Sequence, residues 1–393
     1  MQWASAVAEG PLIEEAVRTA AARLRAQLGS ARADLLVVFV SAHHAAHFEV
    51  LPALLAAALD APVLIGCSAG GVIGGGHEIE QRPGLSLTAA LLPGVEVLPF
   101  HVAPDTPLGE QPAAWEQRLG VSALRQPHFV LLPDPFSCDA ESFVRGLEHA
   151  YPRSRIVGGL ASGGRQAGSN ALFLGRHVHR AGLVGVALAG DIEVDTIVAQ
   201  GCRPIGQPMF ITKCQGNLLW ELDGASAVEV VRDLYEQLDP ADQELARHSL
   251  FLGIVMSEDR QEYRHGDFLI RNIVGMDPER GVVGVGALLR ENSVVQFHLR
   301  DAKTSAADLR HLLTRYEPGT TAPQGALLFS CLGRGLHLYG RPDHDTDAFR
   351  ERFGNVPLGG FFCNGEIGPV QGTTFLHGYT SSFGIFRRRG SRG

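Results

Sequence analysis

Residues 356–369 read VPLGGFFCNGEIGP, a short apolar segment that runs into closely spaced glycines. An apolar run of this length predicts a strand buried on both faces. Glycines at its end permit backbone conformations that other residues rarely adopt, and they let amide groups come close to a ligand. The same combination occurs as IGCSAGG at 65–71 and as VGGLASGG at 157–164, so the chain contains three strand ends of one type.

Each of these strand ends belongs to a repeated order of strand, helix, strand, glycine-rich turn and antiparallel strands. The repeats begin with LLVVFVSA at 35–42, HFVLLPDP at 128–135 and GALLFSCLGRG at 325–335. Self-similarity of this kind indicates an architecture built from one structural unit. We therefore predict an α/β protein whose mixed sheets are covered by helices, for which a layered α/β/β/α arrangement is one solution.

The length of the chain favours two domains. A chain of 393 residues exceeds what one hydrophobic core usually supports. We place the boundary near Gly224, with one domain over 1–224 and a second over 225–386. The basic stretch RRRGSRG at 387–393 is predicted to form a short tail.

The composition indicates a compact cytoplasmic protein. Hydrophobic residues make up 45% of the chain, charged residues 19%, and the net charge is −8. No stripe of basic residues with interleaved aromatics is present, which argues against a nucleic-acid partner. The six cysteines form no C-x-x-C pair, as expected for reduced thiols. The N-terminal residues lack the pattern of a signal peptide, and no apolar run is long enough to predict a membrane span.

The segment GCSAG at 66–70 matches the G-x-S-x-G pattern that presents a nucleophilic serine in α/β-hydrolases. That nucleophile needs a helix directly after the turn, but the following VIGGGHEIEQRPG contains four glycines and a proline. Aligning the three glycine-rich turns places Ser68 opposite Ala161 and Cys363, so the serine does not recur. Each glycine-rich turn either lines a pocket or only allows tight packing of the sheets, and we interpret Ser68 as a hydroxyl in the wall of such a pocket.

The C-terminal motifs resemble a known family. FSCLGRG at 329–335, VPLGGFFCNGEIGP at 356–369 and LHGYTSSFGIF at 376–386 are similar to the FIST C-terminal domain signature. GVVGVGALLRENSVVQFHLRD at 281–301 resembles the opening strands of that domain. LLVVFVSA together with VLIGCSAGGVIG at 63–74 resembles the companion FIST N-terminal domain.

The resemblance implies a function. FIST domains are known as sensory modules of bacterial signalling that are proposed to bind small ligands such as amino acids. They also occur in eukaryotic F-box proteins, and some bacterial members resemble haem-based nitric oxide sensors. Because no kinase, cyclase or receptor segment is attached, the resemblance implies a stand-alone bacterial sensor with a FIST N-terminal domain over 1–224 and a FIST C-terminal domain over 225–386.

A ligand that carries a carboxylate and an ammonium group requires a cation, an anion and hydrogen-bonding groups around one cavity. Arginine suits a carboxylate because its planar fork donates two parallel hydrogen bonds. Glu366, on the third glycine-rich turn, is the candidate partner for an ammonium group. The complete set of candidate ligand-binding residues is Arg334, Glu366, Asn364, Cys363, Cys331, Ser330, Arg271, Arg300, Gly365 and Ser68.

Several of these residues also have a purely structural explanation. Arg300 precedes Asp301 and could hold a salt bridge with it, and Glu366 could accept hydrogen bonds from loop amides. Cys331 and Cys363 end the two main strands of the third repeat, so the fold should bring them close together. They could form a thiol pair, lie beside a ligand, or serve as two small buried residues.

The sixteen histidines do not predict a metal site. His44 and His47 share the face of a helix, and His177 and His179 share the face of a strand. Neither pair is accompanied by the cysteines or carboxylates of a zinc site. A haem requires only one axial histidine, so we predict no cofactor while haem stays open.

These observations lead to one functional hypothesis with two alternatives. We expect a small-ligand-binding sensory protein that recognises an amino acid or a similar small polar metabolite and signals to a protein partner. An enzyme with a Cys or Ser nucleophile on a glycine-rich strand end is the first alternative, and we expect it less. A haem-based gas sensor is the second.

Overall fold

The structure is a computed structural model that describes residues 1–107, 109, 111–257 and 262–390. It divides into two compact units. Unit 1 comprises Met1–Val198, His311–Leu376 and Thr380–Gly393, and unit 2 comprises Ala199–Arg310 and His377–Tyr379.

The described residues form α-helices in both units. These are α1 (Ile13–Leu28), α2 (Leu51–Ala58), α3 (Pro112–Leu119), α4 (Ala140–Ala150), α5 (Ala227–Gln237), α6 (Pro240–Ser249), α7 (Ala302–Arg315), α8 (Leu336–Tyr339) and α9 (His344–Phe353). Two short 3₁₀ helices lie at Ala42–His47 and Ala123–Arg125.

The strands before unit 2 are β1 (Gln2–Glu9), β2 (Leu35–Ser41), β3 (Val63–Ala69), β4 (Gly71–Gly74), β5 (His77–Glu80), β6 (Gly84–Leu91), β7 (Val95–Val102), β8 (His128–Pro133), β9 (Ile156–Gly159), β10 (Leu172–Leu174), β11 (His177–His179), β12 (Leu183–Gly190) and β13 (Glu193–Gln200). Those that follow are β14 (Cys202–Gln215), β15 (Leu218–Leu222), β16 (Ala225–Ser226), β17 (Leu250–Val255), β18 (Phe268–Asp277), β19 (Val282–Val285), β20 (Val294–Arg300), β21 (Gly325–Cys331), β22 (Leu358–Cys363), β23 (Glu366–Val370), β24 (Thr373–His377) and β25 (Thr380–Arg387).

Unit 1 contains three six-stranded sheets of one plan, which confirms the predicted α/β class with mixed sheets. The strand orders are β1-β6-β2-β3-β10-β11, β7-β12-β8-β9-β23-β24 and β13-β25-β21-β22-β4-β5. In each sheet the two central strands run parallel, as β2 with β3, β8 with β9 and β21 with β22. All other pairings described within these sheets are antiparallel.

The glycine-rich turns pass the chain from one sheet to another. Beyond its turn, the first repeat adds the hairpin β4–β5 to β22 of the third repeat. The second repeat adds β10–β11 to β3 of the first, and the third adds β23 to β9 of the second. This cyclic exchange ties the repeats together, because each sheet is completed by a hairpin from another repeat.

One glycine in each repeat is required by the close approach of two parallel strands. Equivalent positions on the second parallel strand of each repeat are taken by Gly66, Gly158 and Gly360. Each glycine pairs with a residue of the first parallel strand. A Cβ on any of them would overlap the carbonyl oxygen of the partner residue. The distances would be 2.0 Å to Val38, 2.0 Å to Leu131 and 1.9 Å to Leu328.

This register corrects the alignment of the turns made from the sequence. Counting from the equivalent glycines, Ser68 corresponds to Leu160 and Phe362, one residue before the expected Ala161 and Cys363. Glycine spacing alone does not fix the register of these strands. A shift by one residue exchanges the two faces of a strand, and the sequence pattern does not reveal such a shift where both faces are apolar. The serine still does not recur.

Strand alternation places the core on both faces of the first sheet. On β2, Leu35, Val37 and Phe39 face a core to which all three sheets of unit 1 contribute, including Val130 and Phe329. The residues between them, Leu36, Val38 and Val40, face a second core with α1 and α2. Unit 1 is therefore three sheets around a shared core with helices outside, in place of the four α/β/β/α layers considered from the sequence.

Helix ends follow their sequence signals. Helix α1 ends at Gly29, which has φ of 66°, and α4 begins at Asp139, whose side chain accepts a hydrogen bond from Ser142 N–H at 3.1 Å. At the other end of the chain, Arg387 ends β25 and Arg389 contacts Glu193 at 2.8 Å, while 391–393 of the predicted tail lie outside the described residues.

Unit 2 occupies a defined place in the third repeat. The first two repeats pass from their leading strand to the next through one α-helix, namely α1 between β1 and β2 and α3 between β7 and β8. In the third repeat the residues between β13 and β21 include almost all of unit 2. Its sheet has the order β14-β20-β17-β18-β19-β15-β16, with a further pairing of β14 with β15 that closes it around an apolar interior.

Candidate ligand site

The ends of β21 and β22 bring several predicted site residues together. Cys331 and Cys363 are in register on these parallel strands, which confirms that the fold places them side by side. Both are free thiols, and Cys363 Sγ donates to the Ser330 carbonyl at 3.4 Å. Burial, together with the nearby Glu366 carboxyl, raises the pKa of the Cys363 thiol well above its usual value. Cys363 is therefore a buried thiol rather than an activated nucleophile.

Arg334 follows these strand ends and is fully buried. Its Nε and Nη2 donate to the two carboxylate oxygens of Asp345 at 2.9 and 3.1 Å, and its guanidinium lies 5.5 Å from the ring centre of Tyr339. Asp345 also accepts hydrogen bonds from the hydroxyls of Ser330 and Ser381. Although burial opposes it, the Arg334 guanidinium holds the pKa of Asp345 below its usual range. The Arg334 fork is thus occupied by a carboxylate of the protein itself.

Glu366 is fully buried within the third glycine-rich turn. Its Oε2 accepts hydrogen bonds from Thr380 N–H at 3.0 Å and Thr380 Oγ1 at 2.8 Å. Burial raises the pKa of Glu366 to about 7. The exposed Asn364 donates from Nδ2 to the Ala161 carbonyl at 3.3 Å, and the Gly365 carbonyl accepts from Leu160 N–H at 2.9 Å. The turn therefore ties the third repeat to the end of β9.

Ser68 uses its hydroxyl within the first sheet. Its Oγ donates to Asn170 Oδ1 at 3.3 Å and accepts from Ala171 N–H at 3.1 Å. A nucleophilic serine needs a neighbouring base that takes its proton. These contacts instead connect the first glycine-rich strand end to the chain that enters β10.

The first and third glycine-rich strand ends line a cavity of about 420 Å³. The residues that line it are Gly70, Gly71, Glu80, Gln81, Leu332, Gly333, His337 and Phe362. The glycines of these turns predict a pocket there, whereas no pattern in the sequence singles out Glu80 or His337.

Unit 2 contains the other two predicted arginines, and they differ. Arg271 is half-buried on β18 opposite Leu252, and its Nη1 donates to the Ile270 carbonyl at 3.3 Å. Arg300 ends β20 and is 8% exposed. Across the residues that the structure describes, Nε and Nη2 of Arg300 are buried and have no hydrogen-bond partner.

Aromatic side chains pack beside Arg300. Its guanidinium lies 5.0 Å from the ring centre of Tyr379, which packs at 4.3 Å on the ring of Phe251. The salt bridge to Asp301 considered from the sequence is made by another residue, because Arg203 Nε donates to Asp301 Oδ2 at 3.0 Å. Arg300 therefore presents an open fork on a buried surface.

Two buried acceptors belong to the same part of unit 2. His298 lies two residues before Arg300 on β20, so both side chains share one face of the strand. Its Nδ1 contacts the Gln296 carbonyl at 3.0 Å, and its Nε2 has no hydrogen-bond partner within the described chain. Gln200 donates from Nε2 to the Phe268 carbonyl at 2.7 Å, while its Oε1 is also unpaired there.

Two buried histidines predict a loss of stability in acid. Burial lowers the pKa of His128 and of His298 from 6.5 to about 4. Between these pH values the unfolded chain binds more protons than the folded chain, so stability is complete above pH 6.5 and falls towards pH 4. We expect each histidine to contribute a loss of about 3 kcal/mol over that interval. Urea unfolding across this pH range measures it, and the variants His128→Gln and His298→Gln should each flatten the profile; an unchanged profile in both contradicts the expectation.

Comparison with known proteins identifies the class to which this fold and these strand ends belong. The FIST N domain matches residues 34–225 and the FIST C domain matches residues 227–369, so the chain belongs to the FIST family. FIST domains are generally sensory and bind small ligands. Of the C domain match, 227–310 lie in unit 2 and 311–369 in unit 1.

Full-length relatives occur in mycobacteria. An uncharacterized protein of Mycobacterium tuberculosis is 37% identical over 392 residues, which covers 97% of this chain and 98% of the relative. An uncharacterized protein of Mycobacterium bovis is 36% identical over 380 residues, or 96% of each chain. The human F-box only protein 22 is 41% identical over 69 residues, or 17% of each chain. In the part of the chain that the structure describes, no helix combines the length and apolar character needed to cross a membrane.

Proposed function

We propose that this protein senses an amino acid or a similar small polar metabolite, whose carboxylate binds Arg300 in unit 2, and that it passes the bound state to a protein partner in the cytoplasm. The observation that carries the proposal is the open fork of Arg300. The six free cysteines support a reducing compartment.

Two buried or half-buried arginines of unit 1 show what an arginine fork binds in this protein. Arg334 holds Asp345 through Nε and Nη2, and Arg387 holds Asp195 through the same two atoms at 2.7 and 3.2 Å. In Arg300 these atoms are buried without a partner among the described residues. A buried guanidinium is costly unless an anion compensates it. A ligand carboxylate would supply both missing hydrogen bonds.

The neighbouring acceptors favour an amino acid over a simple carboxylic acid. Because burial lowers the pKa of His298 to about 4, its imidazole is neutral near pH 7. The Nδ1 contact with a carbonyl assigns the proton to Nδ1, so the unpaired Nε2 is an acceptor. Gln200 Oε1 is a second acceptor without a partner among the described residues. Both would accept hydrogen bonds from a ligand ammonium group.

The test is a thermal-shift screen with the common amino acids and their deaminated acids, followed by calorimetric titration of every compound that raises the melting temperature. A ligand that binds only the folded state must stabilise it. For such a ligand we expect Arg300→Lys to weaken binding by about tenfold to a hundredfold, because lysine cannot donate the paired hydrogen bonds. The matched variant Arg271→Lys should bind as the native protein does.

Two results would overturn the proposal. One is a complete screen in which no compound raises the melting temperature. The other is a confirmed ligand whose affinity is the same in the native protein and in Arg300→Lys. A ligand whose affinity falls only in Arg271→Lys would transfer the carboxylate site to that residue.

A further inference from the structure

We propose that unit 1 contains a second ligand site, independent of Arg300, that binds a small organic ammonium ion in the cavity beside Glu80. The inference combines a cavity with apolar walls, a cluster of carboxyl groups behind one wall, and a buried carboxyl oxygen of that cluster that lacks a partner among the described residues. Each observation concerns residues of unit 1 alone.

The cavity has the size and lining of a site for a small amphipathic molecule. Its volume of about 420 Å³ lies within the range of ligand pockets. Leu332 and Phe362 provide apolar surface, and Gly70 and Gly71 leave room beside it. A Cβ on Gly70 would lie only 2.3 Å from Leu332 Cδ2. Glu80 is the acidic residue among those that line the cavity.

The wall that carries Glu80 is rich in carboxyl groups. Glu78 and Glu80 lie two residues apart on β5, so their side chains share one face of the strand. Electrostatic interactions with Asp343 and Asp345 oppose the ionisation of both glutamates. The buried cation nearby, Arg334, is already bound to Asp345. Asp345 also contacts His344, and Asp343 contacts His77. Neither glutamate has a cationic partner among the described residues, so a further cation would balance them.

Glu78 and Glu80 each use one carboxyl oxygen to accept a hydrogen bond from a backbone N–H at the start of a helix. Glu78 Oε1 accepts from Thr346 N–H in α9 at 2.9 Å, and Glu80 Oε1 accepts from Leu336 N–H in α8 at 2.8 Å. Glu78 is 2% exposed, yet its Oε2 has no hydrogen-bond partner in the described chain. Burial, and then repulsion from Asp345, raises the pKa of Glu78 to about 8. A cation bound beside Glu80 would favour the ionised form of Glu78 and lower its pKa.

The internal repeat shows that the fold does not require this carboxyl group. Glu78 pairs with Ile73 across its hairpin, and Ile73 lies beside Gly360. In the second repeat the equivalent position is Val178, whose hairpin partner lies beside Gly66. The second repeat thus has an apolar residue at the position that Glu78 occupies in the first repeat. The glutamate is a property of this hairpin rather than of the fold.

The donor set favours an organic cation over a metal ion. Among the residues that the structure describes, no group of three or more His, Cys, Asp and Glu side chains is arranged to hold a metal. An ammonium group needs fewer ligands, since it binds through hydrogen bonds and charge, while its carbon chain can pack against apolar walls. Leu332 and Phe362 supply such walls next to Glu80.

The test uses butylammonium chloride as the probe, titrated calorimetrically into the full chain against sodium chloride at the same ionic strength. We expect one binding event that Glu80→Gln weakens about tenfold, equivalent to about 1.4 kcal/mol. Glutamine keeps the carbonyl that accepts the Leu336 N–H, so this variant should fold. The control Glu9→Gln removes a half-exposed carboxylate that pairs with Arg82 and should leave binding unchanged.

The outcomes separate this site from the one at Arg300. Sodium butyrate and Arg300→Lys probe only the carboxylate site, so butylammonium binding that persists in Arg300→Lys and is lost in Glu80→Gln supports the inference. Absence of butylammonium binding, or equal binding in native protein and Glu80→Gln, overturns it whatever the result at Arg300. Glu78→Val, which copies the second repeat, is a further variant in which binding should weaken.

Discussion

The variant Arg334→Met is expected to lose about 3–5 kcal/mol of unfolding free energy, because the substitution removes one partner of a buried ion pair. Arg334 and Asp345 are both almost inaccessible to solvent, and the guanidinium occupies both carboxylate oxygens. Without it, the Asp345 charge stays buried, and its remaining described polar contacts are His344 Nδ1 at 2.9 Å and the hydroxyls of Ser330 and Ser381. Urea unfolding followed by circular dichroism measures the loss.

Two matched variants test whether the loss comes from breaking the buried ion pair. Arg334→Met combined with Asp345→Leu removes both charges and should recover most of the lost stability. Arg300→Met in ligand-free protein should cause little loss or a gain, since its fork has no partner among the described residues. A loss for Arg334→Met of no more than about 1 kcal/mol, typical of an exposed pair, would contradict the buried geometry.

The variant Gly360→Ala is expected to prevent folding or to cost more than about 4 kcal/mol, which places it among the exceptional single substitutions. An alanine Cβ would lie 1.9 Å from the Leu328 carbonyl oxygen, and that oxygen belongs to the backbone of the adjacent parallel strand. Backbone in the middle of a buried sheet cannot move aside as the end of a side chain can. The soluble yield and the thermal unfolding of the variant measure the effect.

The control for this prediction is Gly275→Ala. Gly275 also lies in a strand, and a Cβ there would meet no atom within 4 Å. We expect a change within about 0.5 kcal/mol, as for surface substitutions in general. Equal stability of the two variants would show that the close approach of β21 and β22 is not required.

The sequence predicted the architecture better than it predicted the contacts of the site. Local patterns predict the three-copy order of elements, the mixed sheets and the adjacent positions of Cys331 and Cys363. The structure confirms all three. The sequence did not identify the partner of Arg334, because Asp345 is separated from it by α8 and stands in the polar stretch HDTD at 344–347. In the sequence, Glu78 and Glu80 are the acidic residues of HEIE at 77–80, and the alternation of that segment by itself predicts an ordinary exposed strand.

The status of the arginines shows why sequence could not rank them. Arg334 follows the buried strand β21 and Arg300 ends the buried strand β20, and both are candidates for a ligand carboxylate. The structure gives Arg334 a carboxylate of the protein and leaves the Arg300 fork open within the described chain. That difference depends on which remote side chains reach each guanidinium, and no local pattern encodes it.

By itself, the sequence determined the elements of this protein and their threefold repetition, because strand alternation, helix caps and glycines are local and act through the backbone. Family membership follows from the same motifs. Only the tertiary structure decided where each repeat places its hairpin, which carboxyl groups are buried together, and which arginine lacks a partner among the described residues. Those outcomes depend on pairing between residues far apart in the chain, where burial converts a charge from a solvated group into one that requires a partner.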